Sequence, residues 1–267
     1  MHELPKNIAI IMDGNRRWAE KRNLPVYTGH KKGASNLKKI IIECINLGVN
    51  ELTIFAFSTE NWNRDIIEVN GLLKLIEIYI KSEIAEMNIN NIIFKCIGDK
   101  KIFRKSISEL LTSAENLTKN NNGMKLNICL NYGGISDIVF ATKNIARAVE
   151  NKELSLNEIN ENCLKRNLLS SEVNDVDLLI RTSGESRISN FLPIQISYSE
   201  LYFSEILWPD FDKKDLLEAF RAFSKRERRY GSSLTAPKNN HRKNSWHMHF
   251  DYCFGNSMFC PLHNSQH

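Results

Sequence analysis

Four short apolar runs in this chain each stop at a cluster of polar residues, and that repeated stop constrains the fold more than any other feature. The first, residues 8–12 (IAIIM), ends in Asp13, Gly14 and Asn15, and a polar helical run then opens with Arg16, Arg17 and Trp18. Runs of this length suit buried strands. Residues 51–57 end in STENWNR (58–64), residues 124–130 in Asn131, Tyr132, Gly133 and Gly134, and residues 176–180 in Arg181 and a loop to Asn190. Helical patterns at 33–47, 66–87, 100–117 and 136–149 lie between them, with another strand at 91–97. Strands alternating with helices predict an α/β fold, a single domain with a mainly parallel central sheet flanked by helices. In such a sheet ligands bind outside the carboxyl ends of the strands, where all four polar clusters fall. The first strand lacks a following G-x-G-x-x-G loop, so the fold is not read as a dinucleotide-binding one.

The chemistry at those ends is that of anions. Asp13 can hold a divalent cation jointly with substrate phosphates, and Arg17 offers fixed donors that match a diphosphate. Arg181 and Arg187, with Thr182, Ser183 and Ser189 beside them, make a second anion cradle. Ser58 and Asn61 can orient substrate or water, Trp62 can cover an apolar chain, and Arg64 can hold a phosphate. The plainer readings stay open: DGN as a turn, Trp62 as core, Arg64 as a surface ion pair. The helix at 66–87 has more apolar positions than one face needs, so its second side calls for core, a second subunit or a greasy ligand. Later segments read as a helix at 155–167, a strand at 195–203 containing Glu200, and a helix at 212–229. A carboxylate in a mainly apolar strand is costly unless paired or metal-bound.

With 267 residues and a net charge of +5, the chain has room for a substantial core and a mild preference for anionic partners. No apolar run approaches the roughly 20 residues that span a bilayer, and the basic residues form no nucleic-acid stripe. Cys44, Cys96, Cys129 and Cys163 are isolated in apolar contexts, which suggests a reducing compartment such as the cytoplasm. From Ser232 the pattern loses its period. His247, His249, Cys253 and Cys260 are zinc-type ligands at a spacing that matches no strong motif, so residues 232–267 are read as an extension peripheral or flexible with respect to a domain at 1–231.

Taken in order, the motifs IAIIMDGN (8–15), RWA (17–19), GHKKG (29–33), FAFSTENWNR (55–64), LNYGG (130–134), DLLIRTSGESRISNF (177–191), YSELYF (198–203) and WPDF (208–211) resemble the cis-prenyltransferases, the family of undecaprenyl diphosphate synthase. The resemblance runs from Leu4 to about Gly231. It implies a Mg2+-dependent enzyme that adds isopentenyl diphosphate to an allylic diphosphate, usually farnesyl diphosphate, and houses the cis-polyprenyl product in an apolar tunnel between sheet and helices. It also implies a homodimer and a role in lipid-carrier supply for the cell wall. By the same resemblance Asp13, Asn15, Ser58 and Asn61 are the catalytic set, and Asp13 and Glu200 the metal set. Gly14, Arg16, Arg17, Trp18, His30, Trp62, Arg64, Arg181, Arg187 and Ser189 would bind substrate. Such an enzyme would meet the inner face of a membrane peripherally.

The chain departs from the family pattern at several places. Val26 and Ile135 stand where arginines are common, Arg16 where many bacterial members have glycine, Ser183 where a second glycine is usual, and Asp65 where proline is. These changes keep two other readings in view: an enzyme making a short or irregular product from a dimethylallyl or geranyl donor, and a non-catalytic partner subunit. Retention of Asp13 and both arginines argues against the second.

Overall fold

The computed structural model describes residues 4–226. A six-stranded sheet, all parallel, has the order β3-β4-β2-β1-β5-β6. The strands are β1 (Asn7–Ile11), β2 (Glu51–Ser58), β3 (Ile93–Ile97), β4 (Lys125–Tyr132), β5 (Leu178–Arg181) and β6 (Glu200–Phe203). The helices are α1 (Asn15–Glu20), α2 (Val26–Asn46), α3 (Ile66–Ile89), α4 (Lys105–Thr118), α5 (Gly134–Glu150), α6 (Glu161–Asn167) and α7 (Lys213–Ser224).

Alternation along the strands divides the core. Ile8, Ile10, Leu52 and Ile54 point to a face covered by Leu37, Ile40 and Ile41 of α2, Val69 and Ile80 of α3, and Phe220 of α7. Ala9, Ile11, Leu179 and Tyr132 point to the other, covered by Val173, Phe191, Leu192 and Ile196. Phe55 stacks on Phe191 at 4.4 Å. Burial on both faces explains why the strands read as unbroken apolar runs. The second apolar side of α3 packs against α4 and is braced by Arg104 on Glu77.

Some boundaries differ from the sequence reading. α2 begins at Val26, so His30 lies inside a helix. Residues 100–102 form a separate 3-10 turn capped by Asp99, whose carboxylate accepts from the Lys101 amide at 2.9 Å. The stretch 155–167 holds a short turn (Leu156–Glu158) and then α6. The strand expected from Gln195 starts at Glu200. Gln195 to Ser199 alternate polar and apolar, yet they form turns in which the buried Gln195 amide donates to the Ser170 hydroxyl at 2.8 Å. The end of the 212–229 helix and the zinc-type residues of the tail lie outside the described residues. No described helix is long and apolar enough to cross a membrane.

Candidate active site

Asp13 stands two residues past the end of β1, and three bonds fix its backbone. Its N–H donates to the Ile11 carbonyl at 3.0 Å, and its own carbonyl accepts from the Trp208 amide at 3.0 Å and the Thr182 hydroxyl at 2.7 Å. Its carboxylate is left facing an open pocket of about 780 Å3. Arg181, the last residue of β5, donates to Asp13 Oδ2 at 2.8 Å. That guanidinium is 5% exposed and also donates to Ser189 Oγ at 2.7 Å and to the Arg187 carbonyl at 2.6 Å. Its Nε is buried without a hydrogen-bond partner, as is Oδ1 of Asn15. Both residues line the pocket, although these two atoms are themselves shielded from solvent. Arg17 donates to the Ser183 carbonyl at 3.0 Å and pairs with Asp13 at 3.4 Å and Glu185 at 3.1 Å.

The GHKKG motif has a packing reason. A Cβ at Gly29 would sit 2.1 Å from the Asn15 carbonyl, and one at Gly33 would sit 2.1 Å from Asn15 Oδ1. Glycine at both positions lets α1 lie directly on α2 and seats the Asn15 amide at the pocket wall. Between them His30 projects toward α3, with Nε2 3.3 Å from Glu68 Oε1. Burial holds its pKa below the usual imidazole value, with nearby Arg64 and Arg16 adding to the effect against the pull of Glu68. Glu68 also receives Arg16 and, at 3.0 Å, Arg64. Burial would raise this carboxyl, but Arg64 and Arg16 hold it below the ordinary range. Three cationic or proton-binding groups expected to grip a diphosphate thus converge on one carboxylate.

Ser58 and Asn61 enclose the 3-10 turn Thr59–Asn63 as a reciprocal cap, the Ser58 amide donating to Asn61 Oδ1 at 3.1 Å. Both line the pocket, as do Asp13, Gly14, Asn15, Arg16, Arg17, His30, Arg64, Arg181 and Ser189. Gly14 adopts φ +107° at the start of α1, a left-handed conformation that glycine tolerates.

Four expected residues lie elsewhere. Trp62 packs edge-on to Phe57 at 5.1 Å, and its indole N–H donates to Asn131 at 2.8 Å. Trp18 is buried, donates to Asp210 at 2.7 Å and lies under the Arg22 guanidinium. Each anchors a loop, since an indole needs apolar surface and one acceptor. The Arg187 side chain is 60% exposed and pairs with Glu185, while its carbonyl serves Arg181. Glu200 opens β6, whose other end meets Arg181. It is therefore roughly 10 Å of strand from the Asp13 edge, and it pairs with Arg226 at 2.7 Å. Within this chain Glu200 does not join Asp13.

The sequence reading passed over Glu68 and Asn190. Asn190, at φ +61°, donates to Glu60 at 3.0 Å and accepts from the Ile135 amide at 2.8 Å, tying three loops together. Its one sequence signal was its place in the loop after Arg181. Ile135 itself is 67% exposed.

Met12, Asn15, His30, Ala56 and Leu72 also line a second pocket of about 100 Å3. It lies between α2, α3 and the sheet, walled by Leu37, Leu75, Ile76, Tyr79, Ile80 and Phe94. A charged pocket therefore borders an apolar one.

Comparison with known proteins gives a consistent answer. The prenyltransferase family model described as "Putative undecaprenyl diphosphate synthase" matches residues 11–231. An isoprenyl transferase of Clostridium tetani is 46% identical over 86% of this chain and 91% of its own. A farnesyl-diphosphate-specific ditrans,polycis-undecaprenyl-diphosphate synthase of Pasteurella multocida is 45% identical over 87% of this chain and 97% of its own. Among solved structures, lavandulyl diphosphate synthase of Lavandula x intermedia, in complex with dimethylallyl diphosphate, superposes with a TM-score of 0.83 at 37% identity, covering 86% of this chain and 99% of that one. A Campylobacter jejuni protein described as a probable undecaprenyl diphosphate synthase gives 0.72 at 33% identity over 87% of this chain and 100% of that one. The chain belongs to the undecaprenyl diphosphate synthase family of prenyltransferases.

Proposed function

We propose that the chain condenses isopentenyl diphosphate units onto an allylic diphosphate, farnesyl diphosphate above all, to give a cis-polyprenyl diphosphate of about undecaprenyl length. The observation that carries this is the adjacency of the two pockets: an arginine-rich site and an apolar pocket share Met12, Asn15, His30, Ala56 and Leu72 as a common wall. An allylic diphosphate has that same polarity, charged at one end and hydrocarbon at the other.

In the reaction the allylic C1–O bond breaks and diphosphate departs. The terminal alkene carbon of isopentenyl diphosphate bonds to C1, and a proton is lost from its C2. Arg17, with Arg16 and Arg64, holds the allylic diphosphate, where fixed positive charge most favours departure, and His30 adds a neutral imidazole beside them. Arg181, Arg187 and Ser189 hold the incoming isopentenyl diphosphate, and Asn15, at the junction of the pockets, assists at the reacting carbons. Ser58 and Asn61 order the loop that closes over them and excludes water. Asp13 presents the carboxylate that would hold Mg2+ together with substrate oxygens, and an ion there supplies charge neutralisation to the leaving diphosphate. A half-buried carboxylate bordering the pocket fits an ion that takes the rest of its shell from substrate.

The catalytic domain is residues 1–231, with 232–267 peripheral to the reaction. The enzyme works as a homodimer joined through the β6 and α7 side, which the place of β6 at the edge of the sheet among the described residues supports. It acts in the cytoplasm, delivers its apolar product at the inner face of the membrane and supplies a lipid carrier for cell-wall assembly.

The likeness to lavandulyl diphosphate synthase supports a second reading, a short or irregular product. One assay separates them. Purified protein receives Mg2+, labelled isopentenyl diphosphate and, separately, dimethylallyl, geranyl, farnesyl or geranylgeranyl diphosphate, with Asp13→Ala as control. A farnesyl-primed ladder ending near undecaprenyl, absent from the control, is the expected result. Short products alone favour the second reading, and no turnover with any donor overturns both.

A further inference from the structure

Beside the charged pocket runs an exposed apolar rim that the reaction does not use. α2 and α3 start next to each other there. A Cβ added to Gly71 of α3 would stand 3.5 Å from the Tyr27 ring of α2. One turn further along α2, His30, which lines the pocket, meets Glu68. Around that contact Leu24, Tyr27, Ile66 and Ile67 are all exposed, Ile66 to 67% and Ile67 to 79%. Asp65 caps α3 by accepting from the Ile67 amide at 2.8 Å, which holds both isoleucines in the first helical turn. Single exposed apolar side chains are ordinary, but four on two adjoining helix starts make a patch.

Cations stand behind the patch. Lys31 follows Tyr27 by one turn of α2, and Lys74 follows Ile67 by two turns of α3, so each shares a face with its apolar neighbour. Both lysines are exposed, and neither makes an ion pair among the described residues. The acids nearby are engaged: Asp65 in the cap, and Glu68 by Arg16 and Arg64. At a rise of about 1.5 Å per residue, the two lysines lie roughly 6 and 10 Å along the helices from the apolar tip. Apolar groups at a membrane interface sink ~5–10 Å into the headgroup and acyl boundary, and anionic headgroups attract lysine at the surface above them. A second copy packed on this patch by two-fold symmetry would instead set lysine near lysine. The apolar pocket lies between the same two helices, so a bilayer at this rim is beside the space that takes the hydrocarbon tail.

We infer that the rim of Leu24, Tyr27, Ile66 and Ile67 docks this enzyme on an anionic lipid bilayer, with Lys31 and Lys74 in the headgroup layer. The inference rests on the prenyl-transfer reading above for its cargo, and it names the surface by which that apolar product is brought to lipid. Apolar insertion holds the rim in place, and charge selects the membrane.

The test sediments the full chain, without substrate, with vesicles of phosphatidylcholine alone or of an equimolar mixture with phosphatidylglycerol. Wild type is compared with Ile66→Ser/Ile67→Ser, Lys31→Gln/Lys74→Gln and, as a control, Ile89→Ser, which changes an 82% exposed isoleucine at the far end of α3. Each is checked for folding by circular dichroism, and Ile67→Ser alone stands in if the serine pair fails to fold. Wild type is expected to partition onto the anionic vesicles in preference to the neutral ones. The serine pair should lose about tenfold or more of that partitioning, the glutamine pair about fivefold for each charge removed, and Ile89→Ser nothing. Turnover is measured separately in vesicle-free buffer and should stay within about twofold for every variant. A folded serine pair that partitions like wild type, or an equal loss in Ile89→Ser, overturns the docking rim while leaving prenyl transfer intact. Self-association in sedimentation velocity that the serine pair abolishes gives the patch to a second copy and overturns it too. A wild type that docks as expected yet turns over no donor upholds the rim and overturns the functional reading.

Discussion

At the amino-terminal edge of the sheet Glu51, 2% exposed, accepts from Asn127 at 2.6 Å and from the Asn174 side chain at 2.5 Å, and pairs with Lys125 at 2.9 Å. At the carboxyl-terminal edge Asp13, 30% exposed, accepts from Arg181 at 2.8 Å, with Arg17 and Asn15 close by. Each edge has a carboxylate, a cation and an asparagine. The amino edge is filled, and every carboxylate oxygen there has a protein partner. The carboxyl edge is hollow: its backbone is fixed by three hydrogen bonds, and its carboxylate and arginines border an open pocket. Residue type therefore does not distinguish a structural cluster from a reactive one. What does is whether the charged groups border open space, as Asp13 does and Glu51 does not.

The largest expected separation between the edges is in activity. Asp13→Asn keeps the shape and removes the charge. It should lower kcat/KM by about a thousandfold, the upper range for loss of one preorganised electrostatic group, while the thermal midpoint moves little. Steady-state kinetics with differential scanning calorimetry checks both halves, and a large fall in midpoint would mean the two edges are alike. Glu51→Gln is the mirror experiment. Breaking a buried pair costs about 3–5 kcal/mol, and because Lys125 is 20% exposed the loss here should be nearer ~2 kcal/mol in urea unfolding. Activity per folded molecule should stay within about threefold.

Gly33→Ala probes the boundary between packing and chemistry. Its methyl would collide with Asn15 Oδ1 and lie 2.9 Å from Trp208 Cδ1. Overpacking of this kind costs ~1–2 kcal/mol, and kcat should fall about tenfold because the Asn15 amide is displaced. A variant that loses stability with unchanged kcat would show that Asn15 is not needed where it now stands.

The smallest effect is a pH slope. The folded pKa of His30 lies below its unfolded value of 6.5, so the imidazole is neutral at pH 7. Its contribution to stability is complete above 6.5 and is lost as pH falls through the folded value. Wild type should therefore lose more stability between pH 7 and 5 than His30→Gln does, by at most about 1.4 kcal/mol per pH unit. Equal slopes in urea titrations would show that His30 does not titrate differently on folding.

Much of this contrast was legible in the chain. Strands buried on both faces announce themselves as apolar runs, so the residues at their carboxyl ends, Asp13, Ser58 and Arg181, fell correctly on one edge. Local pattern failed where contacts are distant. Glu68 looked like any polar residue on a helix, since its partners Arg16 and His30 lie 52 and 38 residues away. Trp62 and Trp18 looked like ligand-facing aromatics because they sit in polar surroundings, yet each indole spends its N–H on a protein carbonyl or carboxylate. Alternation of residue type at 195–199 mimicked a strand, yet burial there comes in pairs, with Gln195 and Ile196 buried and Ser197 and Tyr198 exposed, as turns rather than strands allow. The glycines of GHKKG were visible as a motif, but the Asn15 amide that requires them was not.

The order of the strands has a consequence in time. β1 is made first and pairs on one side with β2, but its other neighbour, β5, comes much later, and Asp13 and Arg181 stand 168 residues apart. At synthesis rates of about 5–20 residues per second, the interval between making one and making the other is roughly 10–30 s. Throughout that interval a ribosome-bound chain carries an open edge on β1 and a carboxylate without its guanidinium. The Asp13–Arg181 pair at the centre of the pocket is complete only once β5 has been made.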